Sequence, residues 1–434
     1  MNAAESSSQT NRFGNIKAIR ILIWVYFFFL IFEGAIRMLV PAASNLLLVV
    51  RDPFLLAAYF VALLSGVFPW NRFVLMFLLL GCIAALFSFI QMPQTPLVVL
   101  YGFRVGFLHV PLIFLIQSVM DSRDVVALGR WFLVLAIPIA ILMAFQFKAS
   151  PDSWLNRGLD MQFNQLDAGH GKIRPPGTFT FIMGPALFYG FVIGFVMYEQ
   201  FHGGHYPKLL VGLASLATCL ALSVSGSRSA LSFVAVVILA GAIAVVLAKP
   251  KAVGGLVKFA FVVAVALFGA SQLPVFDEGV GVLSTRIGST EGGAQGFFDR
   301  FLGDFTKGLA DLPRAEVTGA GLGTGTNAGT ALMSASMTHA ENEWSRVILE
   351  MGPVMGLVFL TMRVGLAAWL LSQCLKMARQ GTLLPMLLLG ACGLGIISGQ
   401  WGQPTELGFT ALGGGLCLAA MKRRHSVAER AAHN

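Results

Sequence analysis

Apolar stretches of about 20 residues recur along the chain and are separated by shorter polar segments. Each stretch is long enough to cross the hydrocarbon core of a bilayer as a helix. The pattern predicts an all-α polytopic membrane protein with about 12 transmembrane helices. These cover roughly residues 19–40, 54–68, 73–90, 98–119, 131–146, 180–198, 209–224, 230–248, 256–273, 347–370, 383–398 and 407–421.

The polar segments divide the chain into parts of different character. Residues 1–18 are polar and predict a disordered cytoplasmic tail, and the apolar run after them is too long for a cleaved signal peptide. Residues 19–273 hold helices 1–9, 347–421 hold helices 10–12, and 422–434 form a second cytoplasmic tail. Residues 274–346 form a large outer loop between helices 9 and 10, which is partly helical because apolar residues recur at helical spacing near 297–305.

The composition agrees with membrane insertion. The chain is 56% hydrophobic and 12% charged, with a mean hydropathy of +0.76, which excludes a soluble domain of this length. More than half of the Lys and Arg fall on one side of the predicted topology, which places both termini in the cytoplasm. The net charge of +9 therefore reflects topology, and it does not call for a nucleic-acid partner.

Cysteine usage argues against metal and disulfide sites. The five cysteines lie in or beside predicted helices, and their spacing fits no zinc site. We therefore expect no structural disulfide and no zinc site formed by these cysteines. A glycine-rich run over 319–327 gives a backbone that can approach a ligand closely, but it lacks the lysine of a nucleotide-binding loop.

Ionisable residues inside apolar helices are costly and often mark working sites. Most of the arginines in or beside the predicted helices lie toward the outer face, whereas Arg363 alone lies toward the inner end. Guanidinium groups in such positions can grip a phosphorylated headgroup bidentately. The candidates of this kind are Arg51, Arg104, Arg228 and Arg346.

Structural roles are the alternative for most of these residues. Four-residue spacing predicts intrahelical ion pairs for Glu33 with Arg37 and for Arg346 with Glu350. Arg51 could anchor the chain at the interface, and Arg104 could pair with a neighbouring helix. His109 on an apolar helix is more typical of a satisfied core histidine. Arg228, in a tight outer turn with little room to reach water, is the hardest to explain structurally.

Three segments together resemble a known family. They are 174–179, 223–230 with the sequence Ser-Gly-Ser-Arg-Ser-Ala, and 298–356 with Glu-Asn-Glu-Trp followed by Glu-Met-Gly-Pro. In these motifs, and in the long loop before the tenth helix, the chain resembles the O-antigen ligase and polysaccharide polymerase superfamily. The Glu-Asn-Glu-Trp version is most similar to exopolysaccharide polymerases of xanthan-type pathways.

The resemblance implies a GT-C-like fold and a metal-independent, inverting glycosyltransferase without a cofactor. Such enzymes move a glycan from a polyprenyl-pyrophosphate donor to a sugar hydroxyl of a lipid-linked acceptor. They work at the periplasmic face of the bacterial inner membrane, among membrane lipids, and commonly with a chain-length regulator. The outer loop over 274–346 would then be periplasmic.

The resemblance also assigns roles to residues. A histidine nine residues before the helix glutamate is the usual base, and Glu341 occupies that position here, with His339 two residues earlier. Either could deprotonate an acceptor hydroxyl, or Glu341 could serve only as a charge at a helix N-terminus. Arg300, or alternatively Arg286, matches the loop arginine of the family, and Arg174 matches its basic residue before Gly-Thr-Phe. Each of these three arginines could instead be an ordinary loop or turn charge.

Two other functions stay open at this point. A ligase would transfer the glycan to lipid A core or protein, and it would share the same donor site. A polysaccharide transporter or flippase also fits many helices with buried charge. It would, however, place ionisable residues near mid-membrane along an alternating path.

Overall fold

The computed structural model describes residues 3–40, 42, 44–92, 95–156, 167–169, 171–248, 253–288, 293–333, 340 and 342–422. These residues are mostly helical. The helices are α1 Ala3–Leu39, α2 Ser44–Leu47, α3 Asp52–Leu64, α4 Arg72–Gln91, α5 Pro96–Phe103, α6 Val110–Val119, α7 Ser122–Lys148, α8 Met183–His202, α9 Lys208–Val224, α10 Arg228–Ala248, α11 Val253–Ser271, α12 Pro274–Gly288, α13 Gly293–Ala310, α14 Asn327–Met333, α15 Glu343–Arg379, α16 Leu384–Ile397 and α17 Pro404–Ala420. A two-stranded antiparallel hairpin joins β1 Asp167–Gly169 to β2 Lys172–Ile173.

The length and composition of the apolar helices support the membrane-protein character of the chain. Among the described residues, five helices are long and apolar enough to cross a membrane, or seven if each bent pair counts as one span. Several of the twelve predicted spans are shorter here, with 13 residues in α3, 17 in α9, 14 in α16 and 17 in α17. The predicted count of twelve therefore stays a prediction.

Two predicted spans are bent in the structure. The stretch 98–119 is divided into α5, a π-helical segment Arg104–Leu108 and α6, with a bend of 41°. Pro111 opens α6 and cannot donate a backbone hydrogen bond, which favours a break at this point. The second bend, of 106°, separates α11 from α12 just before Pro274.

Residues 274–346, predicted as an outer loop, are partly helical, as their spacing predicts. They contain α12, α13 and α14, and α13 covers the predicted helical stretch 297–305. At the other end of the chain, α1 begins at Ala3 and so extends through most of the segment predicted as a disordered tail. That segment contains no proline, which permits the helix to continue.

Helix α15 reverses direction, which the prediction of a span over 347–370 missed. Gly352 has φ 76° and ψ 170°, a backbone conformation open essentially to glycine, and Pro353 follows it. In a straight helix, residues 20 positions apart would be separated by about 30 Å. Here Nη1 of Arg363 lies 3.0 Å from Oε1 of Glu343. The arms 343–351 and 353–379 therefore form a helical hairpin, and Gly356 lets them meet closely at Ile348.

The predicted outer segments meet at one end of the helix assembly. Ala35 donates to the carbonyl of Thr178, and the side chain of Arg174 lies against Gly226. The backbone of Ala320 donates to Leu349, and Gly402 contacts Thr326. We call this the arginine end, defined by residues 33–37, 44–52, 174–179, 223–228, 319–326, 343–350 and 398–404.

Residues predicted as cytoplasmic meet elsewhere. Arg20 donates to the carbonyl of Val119 at 2.6 Å and lies 3.5 Å from Asp124. Lys422 donates to the carbonyl of Ser118 at 3.3 Å. These residues therefore lie together in one region of the helix assembly, and the orientation in the membrane stays a prediction.

Candidate functional site

A buried group of four charges forms where the α15 hairpin closes. In this Glu343 cluster (Glu343, Arg346, Glu350, Arg363), Arg346 lies 2.7 Å from each of the two glutamates. The ion pair of Arg346 with Glu350 is the one that their spacing predicts. Both glutamates and Arg363 are at most 3% exposed, and Arg346 is 7% exposed. Two carboxylates thus balance two guanidiniums inside the protein.

Arg363, which the sequence predicts toward the inner end of its helix, is the member that helical periodicity does not bring near Glu343; the reversal at Gly352 brings the two together. Its side chain is 0% exposed and bonds Glu343. It also donates to the carbonyls of Gly395, Ile396 and Gly399 at 3.2, 2.8 and 2.7 Å. The guanidinium stacks 4.1 Å from the ring of Trp401. Arg363 therefore connects α15 to the C-terminal end of α16 by hydrogen bonds.

The glycine-rich run is held by Glu350. One carboxylate oxygen accepts from the amide of Gly323 at 3.1 Å, and the other accepts from Gly325 at 2.9 Å. Gly102 lets α5 approach this run, since a side chain there would collide with the backbone of Leu322 and Gly323. The sequence predicts that the backbone of this run can approach a ligand closely; in the structure its amides bind a carboxylate of the chain itself.

A second buried group lies between α1, α3 and the π-helical segment. This Glu33 cluster comprises Glu33, Arg37, Arg51, Asp52, Arg104 and His109. Arg51 lies 2.8 Å and Arg37 lies 3.7 Å from Glu33, which confirms the predicted pair of Glu33 with Arg37. Arg104 pairs with Asp52 on the neighbouring α3, as the structural alternative predicts. Arg51 is 1% exposed, so it is not an interfacial anchor.

Hydrogen bonding in the Glu33 cluster is incomplete. Nε2 of His109 lies 3.8 Å from Oδ1 of Asp52, too far for a hydrogen bond. His109 is therefore not the fully satisfied core histidine that the sequence suggests. Besides Nε of Arg51, which lies 2.8 Å from Glu33 in an ion pair, five buried atoms of this cluster and of the adjoining Tyr26 have no hydrogen-bond partner among the described residues: Tyr26 Oη, Arg51 Nη1, Asp52 Oδ1, Arg104 Nη1 and His109 Nε2. Buried polar groups usually do have partners, so this cluster keeps unused bonding capacity.

The turn between α16 and α17 joins the two clusters. Arg51 donates to the carbonyl of Pro404 at 2.7 Å, and Arg363 donates to Gly399 at 2.7 Å. Gly402 lies against the guanidinium of Arg346. Three buried arginines from distant parts of the sequence thus converge on residues 398–404.

Arg174 and Arg228 lie together at a different turn. Arg228 is the first residue of α10, and it follows the turn at Gly226, whose φ is 54°. A Cβ on Gly226 would lie 3.7 Å from Cγ of Arg174. Nε of Arg174 donates to the carbonyl of Asp167 at 3.2 Å, so Arg174 also orders its own hairpin. Both arginines are partly exposed.

The remaining candidates fall outside the described residues. These are Glu341 and His339, together with the side chains of Arg286 and Arg300. The residue after Glu341 is placed: Asn342 caps α15 by accepting from the amide of Ser345 at 2.8 Å. The proposed base segment therefore joins the chain directly at the Glu343 cluster. Among the described residues, no group of His, Cys, Asp or Glu could hold a metal ion.

Comparison of the chain with protein-family models, with curated proteins and with solved structures finds no match.

Proposed function

We propose that the protein is a polysaccharide polymerase of the bacterial inner membrane, with its arginine end at the periplasmic face. It transfers a glycan from a polyprenyl-pyrophosphate donor to a sugar hydroxyl of a lipid-linked acceptor. One observation carries the proposal. The three segments that resemble the polymerase and ligase superfamily, 174–179, 223–230 and 298–356, contribute Arg174, Arg228 and Arg346 to the same end of the helix assembly.

Arg228 and Arg174 suit the pyrophosphate of the donor. Arg228 stands at the N-terminus of the 21-residue helix α10, whose dipole favours an anion at this end. Two guanidiniums can bind phosphate oxygens through paired hydrogen bonds. As the glycosidic bond to the donor breaks, charge grows on the leaving pyrophosphate, and fixed cations lower the energy of that transition state.

The Glu343 cluster has a different part in this mechanism. Each nitrogen of Arg346 is already bonded to a carboxylate, so Arg346 positions the chain and does not bind substrate. By fixing the first turn of α15, the cluster fixes the point from which Glu341 and His339 extend. One of these two takes the proton from the acceptor hydroxyl. The oxygen of that hydroxyl then attacks the anomeric carbon of the donor sugar. Direct displacement inverts the anomeric configuration.

The flippase alternative loses support from the hairpin. A transporter needs ionisable residues along a path through mid-membrane. Arg363, the residue predicted toward the inner end, is bonded to Glu343 and to backbone carbonyls through all of its nitrogens, so it does not stand free along such a path. The ligase alternative shares the donor site, and only the acceptor distinguishes it.

Transfer by purified protein in nanodiscs tests the proposal. With a polyprenyl-pyrophosphate-linked repeat unit as both donor and acceptor, mass spectrometry should show a ladder of lipid-linked products. Arg228→Ala should lower the rate about a hundredfold or more, because a fixed cation is lost from the leaving group. Arg72→Ala, an exposed arginine at the opposite end, is the matched control and should retain the rate.

Other outcomes decide between the alternatives. A single mass increase on added lipid A core, without a ladder, would make the protein a ligase. If the wild-type protein gave no product but moved labelled repeat units across vesicle membranes, the flippase would replace the transferase.

A further inference from the structure

An apolar cavity lies between α8, α9, α10, α11 and α12, one helical turn from Arg228. Its volume is about 220 Å³. Leu231 and Val234 of α10 line it, and Leu231 shares a helix face with Arg228 three residues before it. Neither the transferase chemistry nor the two charge clusters account for this cavity.

The cavity has apolar walls, although three residues with hydroxyl groups contribute to them. Ser215, Thr218 and Ser223 of α9 line it, but their hydroxyls donate back to carbonyls of the same helix at 2.7 to 2.8 Å. A polar ligand would therefore lose its hydration without gaining partners. A hydrocarbon chain suits this lining, because burial of apolar surface is favourable there.

The cavity opens sideways between helices. Leu267 of α11 and Val280 of α12 line it and are 45% and 40% exposed. The two helices meet at a bend of 106°. A chain that lies in the bilayer can thus enter from the side.

Arg174 and Arg228 lie near one end of the cavity. Val282 of α12 lies against the turn at Gly226, as does Arg174, while Leu283 lines the cavity. The cavity therefore leads up to the pair of arginines proposed to hold the pyrophosphate. Leu231 is about 4.5 Å along the helix axis from Arg228. When Arg228 binds the phosphate of a lipid, the first part of the lipid tail therefore lies near Leu231, at the cavity wall.

We propose that this cavity binds the phosphate-proximal isoprene units of the polyprenyl donor. The inference rests on the proposed function, which supplies the pyrophosphate at Arg174 and Arg228, and it adds the site at which the tail is recognised. The cavity fixes the height of the sugar–phosphate bond above the bilayer by holding the tail that follows it.

Two native cysteines allow a test without any substitution. Cys219 lines the cavity, and Cys82 lies exposed on α4. In nanodiscs, polyprenyl phosphate should slow the alkylation of Cys219 by N-ethylmaleimide and leave the rate at Cys82 unchanged. Arg228→Ala should raise the polyprenyl phosphate concentration for half-protection by at least about tenfold.

Several results would overturn the inference. Equal protection of Cys219 by phosphatidylglycerol would show a general lipid cleft, and protection by inorganic phosphate alone would show an effect unrelated to the tail. Lack of protection by polyprenyl phosphate would remove the site. Transfer activity without protection of Cys219 would leave the proposed function standing, whereas protection without transfer would leave only lipid binding.

A pair of substitutions on α10 gives a second measurement. Leu231→Trp fills the cavity, while Leu239→Trp adds the same bulk at a position that is 60% exposed on the same helix. Native mass spectrometry should show polyprenyl phosphate retained by Leu239→Trp and lost from Leu231→Trp. Equal retention by the two folded variants would contradict the proposal.

Discussion

The two buried charge clusters at the arginine end differ in how completely they are bonded. In the Glu343 cluster, two carboxylates face two guanidiniums, and every nitrogen of Arg346 and Arg363 has an acceptor. In the Glu33 cluster, three guanidiniums face two carboxylates, and five buried polar atoms of the cluster and of the adjoining Tyr26 lack partners among the described residues. We call the Glu343 cluster the closed clamp, because every nitrogen of its two arginines is bonded. We call the Glu33 cluster the open cluster, because some of its buried polar atoms have no hydrogen-bond partner among the described residues.

This difference separates the arginines that the sequence groups together. Arg346 is occupied by two glutamates of its own helix and holds α15 in place. Arg51 and Arg104 each keep one Nη1 atom without a partner among the described residues. All three arginines are buried and charged, so burial and charge do not distinguish them. They differ in how many of their nitrogens are hydrogen-bonded.

The largest expected effect comes from breaking the closed clamp. Glu343→Gln leaves Arg363 and Arg346 buried without their shared carboxylate, which should cost about 3–5 kcal/mol of stability. Glu278→Gln is the matched control. Glu278 makes the same kind of pair with Lys172 at 2.8 Å but is 44% exposed, so its loss should cost about 0–1 kcal/mol. Thermal unfolding in detergent, followed by near-UV circular dichroism, measures both.

A companion variant tests whether the cost is electrostatic. Glu343→Gln combined with Arg363→Met should recover part of the stability, because the unpaired cation is removed with its partner. If Glu343→Gln unfolds no earlier than Glu278→Gln, the clamp is not the buried structure described.

The sequence anticipated local pairs better than distant ones. Arg346 with Glu350, and Glu33 with Arg37, follow from four-residue spacing, which any helix imposes. Arg363 with Glu343 depends on a chain reversal that helical periodicity cannot express. The signal was nonetheless present in Gly352-Pro353, a pair that disfavours helix continuation. Asp52 went unnoticed as the partner of Arg104, because only the packing of α3 against the π-helical segment brings them together.

The intermediate effect concerns the reversal that assembles the clamp. Gly352→Ala places a Cβ against the carbonyl of Val317 in a backbone region nearly closed to alanine, so it should cost about 1–3 kcal/mol or more. Gly365→Ala on the same helix meets no atom within 4 Å and should be neutral or slightly stabilising. Relative to the unchanged protein, the thermal unfolding temperature should therefore fall in Gly352→Ala and stay the same or rise slightly in Gly365→Ala. Equal unfolding temperatures would mean that the arms of α15 do not fold back at Gly352.

The smallest effect probes the open cluster. Tyr26 is 1% exposed, and its hydroxyl has no hydrogen-bond partner among the described residues, so Tyr26→Phe should be neutral or slightly stabilising. Tyr189 is equally buried, but its hydroxyl donates to the carbonyl of Ala136 at 2.8 Å, so Tyr189→Phe should cost about 0.5–1.5 kcal/mol. Because both changes remove one oxygen from a buried ring, they differ only in the bond that is lost. If Tyr26→Phe proves as costly as Tyr189→Phe, the hydroxyl of Tyr26 is bonded in the native protein. The Glu33 cluster would then be as complete as the Glu343 cluster.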